Sequence, residues 1–384
     1  KGSTSLIGVI IFLLIIGGVF NALEQSGILV YLLNRIAHRF GGRRYTLLGA
    51  VMFFFMALGS LIGSFEEVVP MVPLAVALAL KLGWDRLTGV AMSLLAVGCG
   101  FAAGVFNPFT VGLAQELAGL PMFSGAVFRA LNFVCIYALL FFFTRGHARR
   151  VDRGLSGAEL EAFVPVRKMD KAVALFGGII GFGILAVMSS AFLPFLRDYT
   201  FIIVGVMFLL AGITSCLSGG MSGSALRSAF FKGLVSMLPA VLMILMASSI
   251  KYTLEYAGLL SLLVERAILI AGTLPGWTLI LFIYLIVLVM NFFIASGSAK
   301  AVMLMPLLLP LASSFGISPQ LVIVAYAFGD GFSNVFYPTN PALLVALGLA
   351  ETGYVDWAKW SCKFQLLNLL LTSLLLLLGK AIGV

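Results

Sequence analysis

Two apolar hairpins, 46–82 and 279–315, stand 233 positions apart and constrain the fold of this chain more than any other feature. Gly63-Ser64-Phe65-Glu66-Glu67 interrupts the first at its tip, and Ser296-Gly297-Ser298-Ala299-Lys300 interrupts the second. Pro73 and Pro306, Gly83 and Gly316, Asn107 and Asn340, and Pro108 and Pro341 all share that spacing. Upstream, with a slip to 231 positions, Leu23-Glu24, Gly27, Leu29, Leu32 and Arg35 recur as Leu254-Glu255, Gly258, Leu260, Leu263 and Arg266. A repeat has to be recognised before a fold is assigned. Polar-interrupted apolar segments at matching places in two halves point to the binding region of a secondary transporter.

Composition decides where such a chain can live. Hydrophobic residues make up 61% and charged residues 10% of the 384, with a mean hydropathy of +1.14. The 33 Phe and many Leu and Ile exceed what a soluble core of this size can hide; lipid accepts them on an outer surface. The expectation is a multi-pass membrane protein, with the bilayer and a small-molecule substrate as partners. The formal charge of +9 does not indicate nucleic acid, because the basic residues lie between apolar spans and set topology. Cys99, Cys135, Cys216 and Cys362 lack metal-like spacing and read as small core residues. With only His38 and His147, both in Arg-rich stretches, no catalytic or metal-binding set emerges. No enzyme activity and no cofactor is expected, sodium ions apart.

The spans arrange as an all-α fold of two inverted repeats. The first repeat covers 1–150, a cytoplasmic linker with two connecting helices covers 151–230, and the second repeat covers 231–384. After a first span at 5–20, residues 28–39 carry apolar and polar faces at helical spacing and read as a helix along the membrane surface. Arg43 and Arg44 flank one end of hairpin 46–82, and Lys81 and Arg86 flank the other, which places both ends in the cytoplasm. The hairpin is then re-entrant, its tip buried in protein or lining a wet cavity; two full crossings that put Glu66 and Glu67 outside are the alternative. A broken helix follows at 87–118, an apolar run to Phe106 halted by Asn107-Pro108. Pro removes a backbone donor, so carbonyls at 104–106 become available to a cation. The span at 123–143 leads into the basic linker, and spans at 172–193 and 200–217 go out and back. A loop at 218–224 precedes a span at 234–250, which starts the second half upside down. A surface helix at 259–270, the hairpin at 279–315, a second broken helix at 321–350 and a last span at 360–382 complete it.

At each tip and break the chain offers hydroxyls, amide oxygens, loose carbonyls and helix ends, which suit hard cations and carboxylates. Candidate substrate-binding residues are Ser64, Glu66, Glu67, Asn107, Thr110, Ser296, Ser298, Lys300, Thr339 and Asn340. Candidate ion-coupling residues are Gly63, Ser64, Asn107, Ser298, Asp330 and Asn340. Ser, Thr and Asn in membrane helices also serve to bond neighbouring helices. An ionisable group at membrane depth is a functional hypothesis by default. Glu66, Glu67 and Asp330 are therefore set to bind a cationic substrate, carry a proton or pair with Lys300, which stands at the repeat position of Glu67. Acidic and basic tips together suit the ammonium and carboxylate of an amino acid, a basic one in particular, better than a dicarboxylate.

The run from Gly63 to Pro70, and Gly98 to Gly104 leading into Asn107-Pro108-Phe109-Thr110-Val111-Gly112-Leu113-Ala114-Gln115, resembles the YfcC branch of the four-carbon dicarboxylate carrier (DcuC-like) family, within the ion transporter superfamily. The resemblance covers nearly the whole chain. It implies a homodimer in which a scaffold domain holds an elevator-like transport domain, and a further N-terminal helix and outer loop before Lys1. It implies dicarboxylates as substrates or, for the YfcC branch, basic amino acids. Related transporters carry Ser-Asn-Thr at both tips, where this chain has Ser64-Phe65-Glu66 and Ser298-Ala299-Lys300. The function expected is secondary active transport of a small carboxylate-bearing metabolite, coupled to sodium, to protons or to exchange; a dicarboxylate carrier and a channel are the alternatives.

Overall fold

The structure is a computed structural model describing residues 2–63, 65–121, 123–153, 164–189, 200–236 and 275–384, with scattered residues between 238 and 270. Every regular element among the described residues is helical. The chain opens with α1 (Gly2–Gln25), α2 (Ile28–Phe40), α3 (Arg44–Ile62) and α4 (Val72–Lys81), followed by the short α5 (Arg86–Val90), α6 (Ala96–Ala103) and α7 (Leu113–Leu117). Next come α8 (Ala126–Arg150), α9 (Arg167–Ser189), α10 (Thr200–Ser218) and α11 (Gly223–Ser236). The chain closes with α12 (Gly276–Phe293), α13 (Gly297–Ser314), α14 (Pro319–Asn334), α15 (Pro341–Leu349) and α16 (Tyr354–Ile382). A 3-10 turn, Glu66–Met71, leads into α4, and wide π turns occupy Ala91–Leu95 and Pro108–Gly112.

The two segments expected as hairpins each contain a helix, a break and a helix: α3 and α4 in one, α12 and α13 in the other. The departures from expectation have local causes. The run expected to reach Phe106 stops at Ala103, because Gly104 takes a left-handed conformation (φ 49°, ψ 47°) that ends a helix at little cost only for glycine. The second broken helix stops at Asn334 rather than Tyr337. The span expected at 123–143 stays helical to Arg150, its arginines being good helix formers. Residues 223–236 form α11 where a loop and a later start were expected. Gly353 precedes an α16 that begins at Tyr354, with Asp356 in its first turn favouring an earlier start than residue 360. The expected surface helix 259–270 and most of the span 234–250 lie outside the described residues.

Two compact units emerge. The first comprises Lys1–Leu47, Pro70–Gly89 and Ala148–Met243. In it α1 packs against α10 and α11, and α9 against α10. Gly233 on α11 comes so close to α1 that a Cβ would lie 2.2 Å from the Gly17 carbonyl, the small-residue contact by which membrane helices approach. Asp170 of α9 accepts from Arg35 at 2.6 Å and from the Tyr31 hydroxyl at 2.8 Å, which ties the amphipathic α2 to α9.

The second unit comprises Leu48–Val69, Val90–His147 and Ile244–Val384. Its centre is made by the two broken helices. Helix α6 is buried throughout and α14 from Leu321 to Asn334, whereas only 28% of residues are buried in an apolar 18-residue stretch of each of α8 and α16. A Cβ on Gly331 would stand 2.4 Å from the Cα of Ala102, and one on Gly100 would stand 1.9 Å from the Met56 carbonyl. Helix α6 is thus pressed between α14 and α3. Five helical spans among the described residues are long and apolar enough to cross a membrane: 44–61, 86–103, 126–150, 297–314 and 354–382. The described residues are all-helical in their regular structure, and the protein is a polytopic membrane protein. Its four cysteines are free thiols. Cys99 and Cys216 are buried as expected, but Cys362 is exposed on the outer face of α16.

Candidate substrate and cation site

Everything needed to build the site lies within the second unit. In the second half, α12 ends at Phe293 and Ile294 turns to an extended conformation (φ −125°, ψ 91°). Its carbonyl leaves the helical ladder. Ser296 then caps α13, its side chain accepting from the Ala299 N–H. One turn into α13, Lys300 points inward and is fully buried. Its ammonium donates to the Ile294 carbonyl at 3.1 Å, to Asp330 Oδ1 at 2.6 Å and to Asn291 Oδ1. A buried charge persists only when paired and hydrogen-bonded, and here each ammonium N–H has an oxygen.

Asn291, in the last turn of α12, extends this cluster to the break of α14. Its amide nitrogen lies 2.6 Å from Ser333 Oγ, 2.9 Å from Asn334 Oδ1 and 3.1 Å from the Asp330 carbonyl. Asn334 Oδ1 also accepts from Asn340 at 3.0 Å. Asn340 in turn caps α15, accepting from the Ala342 N–H at 2.9 Å and the Leu343 N–H at 3.4 Å. A continuous polar path therefore links hairpin tip and helix break. Thr339 Oγ1, beside the cap, is buried without a hydrogen bond.

In the first half the break is stitched to α3. Ser60 Oγ accepts from the Val105 N–H and the Ser60 carbonyl from the Phe106 N–H, both at 3.0 Å. Asn107 is buried, and its Oδ1 accepts from the Thr110 N–H at 3.2 Å. The freed Val105 carbonyl does meet a cation, but the cation is Arg129 of α8, whose Nε and Nη2 donate to it at 3.3 and 3.1 Å. Arg129 is 1% exposed and also donates to the Ser124 carbonyl at 2.7 Å and the Phe123 carbonyl at 3.3 Å.

The two halves meet at Gly297. A Cβ there would lie 2.5 Å from Asp330 Oδ2 and 2.7 Å from Thr110 Cγ2. The Tyr326 hydroxyl donates to the Gly297 carbonyl. Both Asp330 Oδ2 and Thr110 Oγ1 are buried without a hydrogen bond, a cost tolerated where polar atoms await a ligand or proton.

The structure thus gathers Thr110, Gly297, Lys300 and Asp330, and joins Asn340 to them through Asn291 and Asn334. Ser296 and Ser298 lie at the exposed mouth of α13, their hydroxyls 3.4 Å apart. Gly63 ends α3 with φ 75° and donates to the Gly59 carbonyl at 3.1 Å. Ser64 and the side chains of Glu66 and Glu67 fall outside the described residues. Of the three acids expected as possible partners of Lys300, Asp330, in its own half, holds it. Sequence reasoning passed over Ser60, Arg129, Asn291 and Asn334. Arg129 and Asn291 carried a legible signal, one charge and one amide inside apolar spans.

Residues 1–381 match the DcuC family, the C4-dicarboxylate anaerobic carriers. The chain is 28% identical over 401 residues to YfcC of Escherichia coli (strain K12), to which basic amino acid antiport is ascribed; the match covers 98% of this chain and 78% of YfcC. It is 23% identical over 403 residues to an uncharacterised protein of Haemophilus influenzae (strain ATCC 51907 / DSM 11121 / KW20 / Rd), covering 98% of this chain and 76% of that protein. In fold it is similar to the YdaH transporter of Alcanivorax borkumensis, with a TM-score of 0.54 and 24% identity over 98% of this chain and 85% of that one. A family match along almost its entire length, on an apolar all-helical chain with two broken helices, means that this protein belongs to the DcuC carrier family and is a membrane transporter, not an enzyme.

Proposed function

We propose that the protein is a secondary active transporter of a small carboxylate-bearing metabolite, an amino acid with a basic side chain in preference to a four-carbon dicarboxylate. The observation that carries this reading is the meeting of the first half's helix break with the second half's hairpin tip, where Thr110 and Asp330 both abut Gly297. A channel needs a continuous lined pore, whereas a hairpin tip and a helix break from different halves of the chain meeting at one buried place suit alternating access. Substrate contacts are assigned to Ser64, Glu66, Glu67, Asn107, Thr110, Ser296, Ser298, Thr339 and Asn340, with Gly63 and Asp330 joining the coupling set; Lys300, whose three donors are used within the protein, serves the site through Asp330.

In this reading 1–150 and 231–384 are inverted repeats joined by 151–230. The protein works as a homodimer in the bacterial inner membrane, by an elevator-type movement driven by sodium, protons or counter-substrate. Two acidic residues at the first tip favour a cationic amino acid, as does the antiport ascribed to YfcC. Carboxylates near a dicarboxylate would repel it by several kcal/mol in a partly dry cavity. The family description favours the dicarboxylate instead, so the test must include both.

Counterflow in proteoliposomes with labelled arginine, ornithine, aspartate and succinate provides it. Trans-acceleration by unlabelled arginine or ornithine is expected, and Glu66→Gln and Glu67→Gln should each lower that uptake about tenfold, equivalent to roughly 1.4 kcal/mol. Passive conductance without trans-acceleration would reject a carrier. Uptake of succinate alone would replace the amino acid by a dicarboxylate.

A further inference from the structure

A sodium ion at a hairpin tip needs a cage of oxygens, and the second half has one: an amide oxygen from Asn291, a backbone carbonyl from Ile294 and a carboxylate oxygen from Asp330. That donor set suits a hard cation. The cage is already taken, because the Lys300 ammonium uses all three of its donors on these three oxygens. A metal ion entering here would displace the ammonium into a fully buried environment without a partner. The residues present therefore do not fit a sodium ion at this tip. At the first half's helix break, too, a freed carbonyl, that of Val105, is taken by a side-chain cation, Arg129.

We propose that Lys300 is a tethered cation, permanently occupying the second-half cation site, and that this tip binds no sodium during transport. The proposal rests on the transporter reading only for its last clause; occupancy of the site is a property of the folded chain. On that reading, transport is driven by protons, by counter-substrate or by sodium bound elsewhere than at this tip. Lys300 is then a positioning residue that neutralises Asp330 Oδ1 and holds α13 against α12 and α14. Asp330 Oδ2, which Lys300 leaves unengaged, faces Gly297.

Thermal unfolding of the purified full chain, followed while sodium replaces choline at constant ionic strength, tests occupancy without requiring transport. The wild-type midpoint should not change. Lys300→Ala should unfold several degrees lower, and sodium or methylammonium should restore it saturably by filling the vacated cage. Lys300→Ala combined with Asp330→Ala should lose that response. A saturable, sodium-specific rise in the wild type that Asp330→Asn abolishes would overturn the proposal. So would a folded Lys300→Ala protein indifferent to every monovalent cation. Should Lys300→Ala not fold, Lys300→Met with Asp330→Asn decides. Sodium stabilisation of the wild type that this pair lacks rejects the tethered cation, and the absence of a sodium effect in the wild type supports it. Failure of counterflow, by contrast, would reject the transporter reading and leave the occupied cage untouched.

Discussion

At Asn291 one amide serves two charged residues and two polar side chains, with its oxygen on the Lys300 ammonium and its nitrogen facing the Asp330 carbonyl, Ser333 and Asn334. Truncating one partner of a buried network costs more than the bond itself contributes, because the others remain desolvated. Asn291→Ala is therefore expected to lower stability by roughly 1–3 kcal/mol. Ser298→Ala, at an exposed position, should stay within about 0.5 kcal/mol. Denaturation of both variants in the same detergent compares them directly, and similar small effects would mean that the buried path does not support the tip.

The broken helix of the first half depends on an element far from it in sequence. Gly104 ends α6, Ser60 of α3 takes the exposed N–H groups, and Arg129 of α8 takes the Val105 carbonyl and those of Phe123 and Ser124. Only a planar fork with several fixed donors reaches three carbonyls together. Arg129→Met should cost about 1–3 kcal/mol through carbonyls left without donors. Arg129→Lys should recover only part of that loss, since a single ammonium cannot span them. Full recovery by lysine in thermal unfolding would show that charge alone, rather than the fork, holds the break.

For the whole molecule, inverted topology makes a prediction about sidedness. Single cysteines replacing Arg43 and Arg86 in a Cys-free background should react with an impermeant thiol reagent from one face of the membrane. Cysteines replacing Trp277 and Phe315, at the open end of the second hairpin, should react from the other face. Labelling of all four from one face would remove the inversion and the opposed tips with it. Labelling of positions 43 and 86 from opposite faces would exclude a hairpin of any kind.

Much of the architecture was legible because membrane helices and their interruptions are written in local chemistry. Apolar runs identified the spans, and the repeated Asn107-Pro108 and Asn340-Pro341 marked both breaks. Ser296 and Asn340 cap the helices that follow their breaks, as small polar residues do at helix starts. Helix α6 ended a few residues early where Gly104 took the left-handed conformation. Which polar groups meet inside the bundle was not legible in this way. Lys300 had three candidate acids, Glu67 being its match by spacing, and the packing of α13 on α14 gives it Asp330, thirty positions along. Arg129 finds Val105 only because α8 lies beside the break, and Thr110 reaches Gly297 only because the first half's break packs on the second hairpin. The amino-acid sequence by itself determined the helices and where they break, since propensity, Pro, Gly and capping act over a few residues. Tertiary structure alone decided which charges pair and which cage is filled, because a buried ion takes whatever oxygen the packed helices bring within reach.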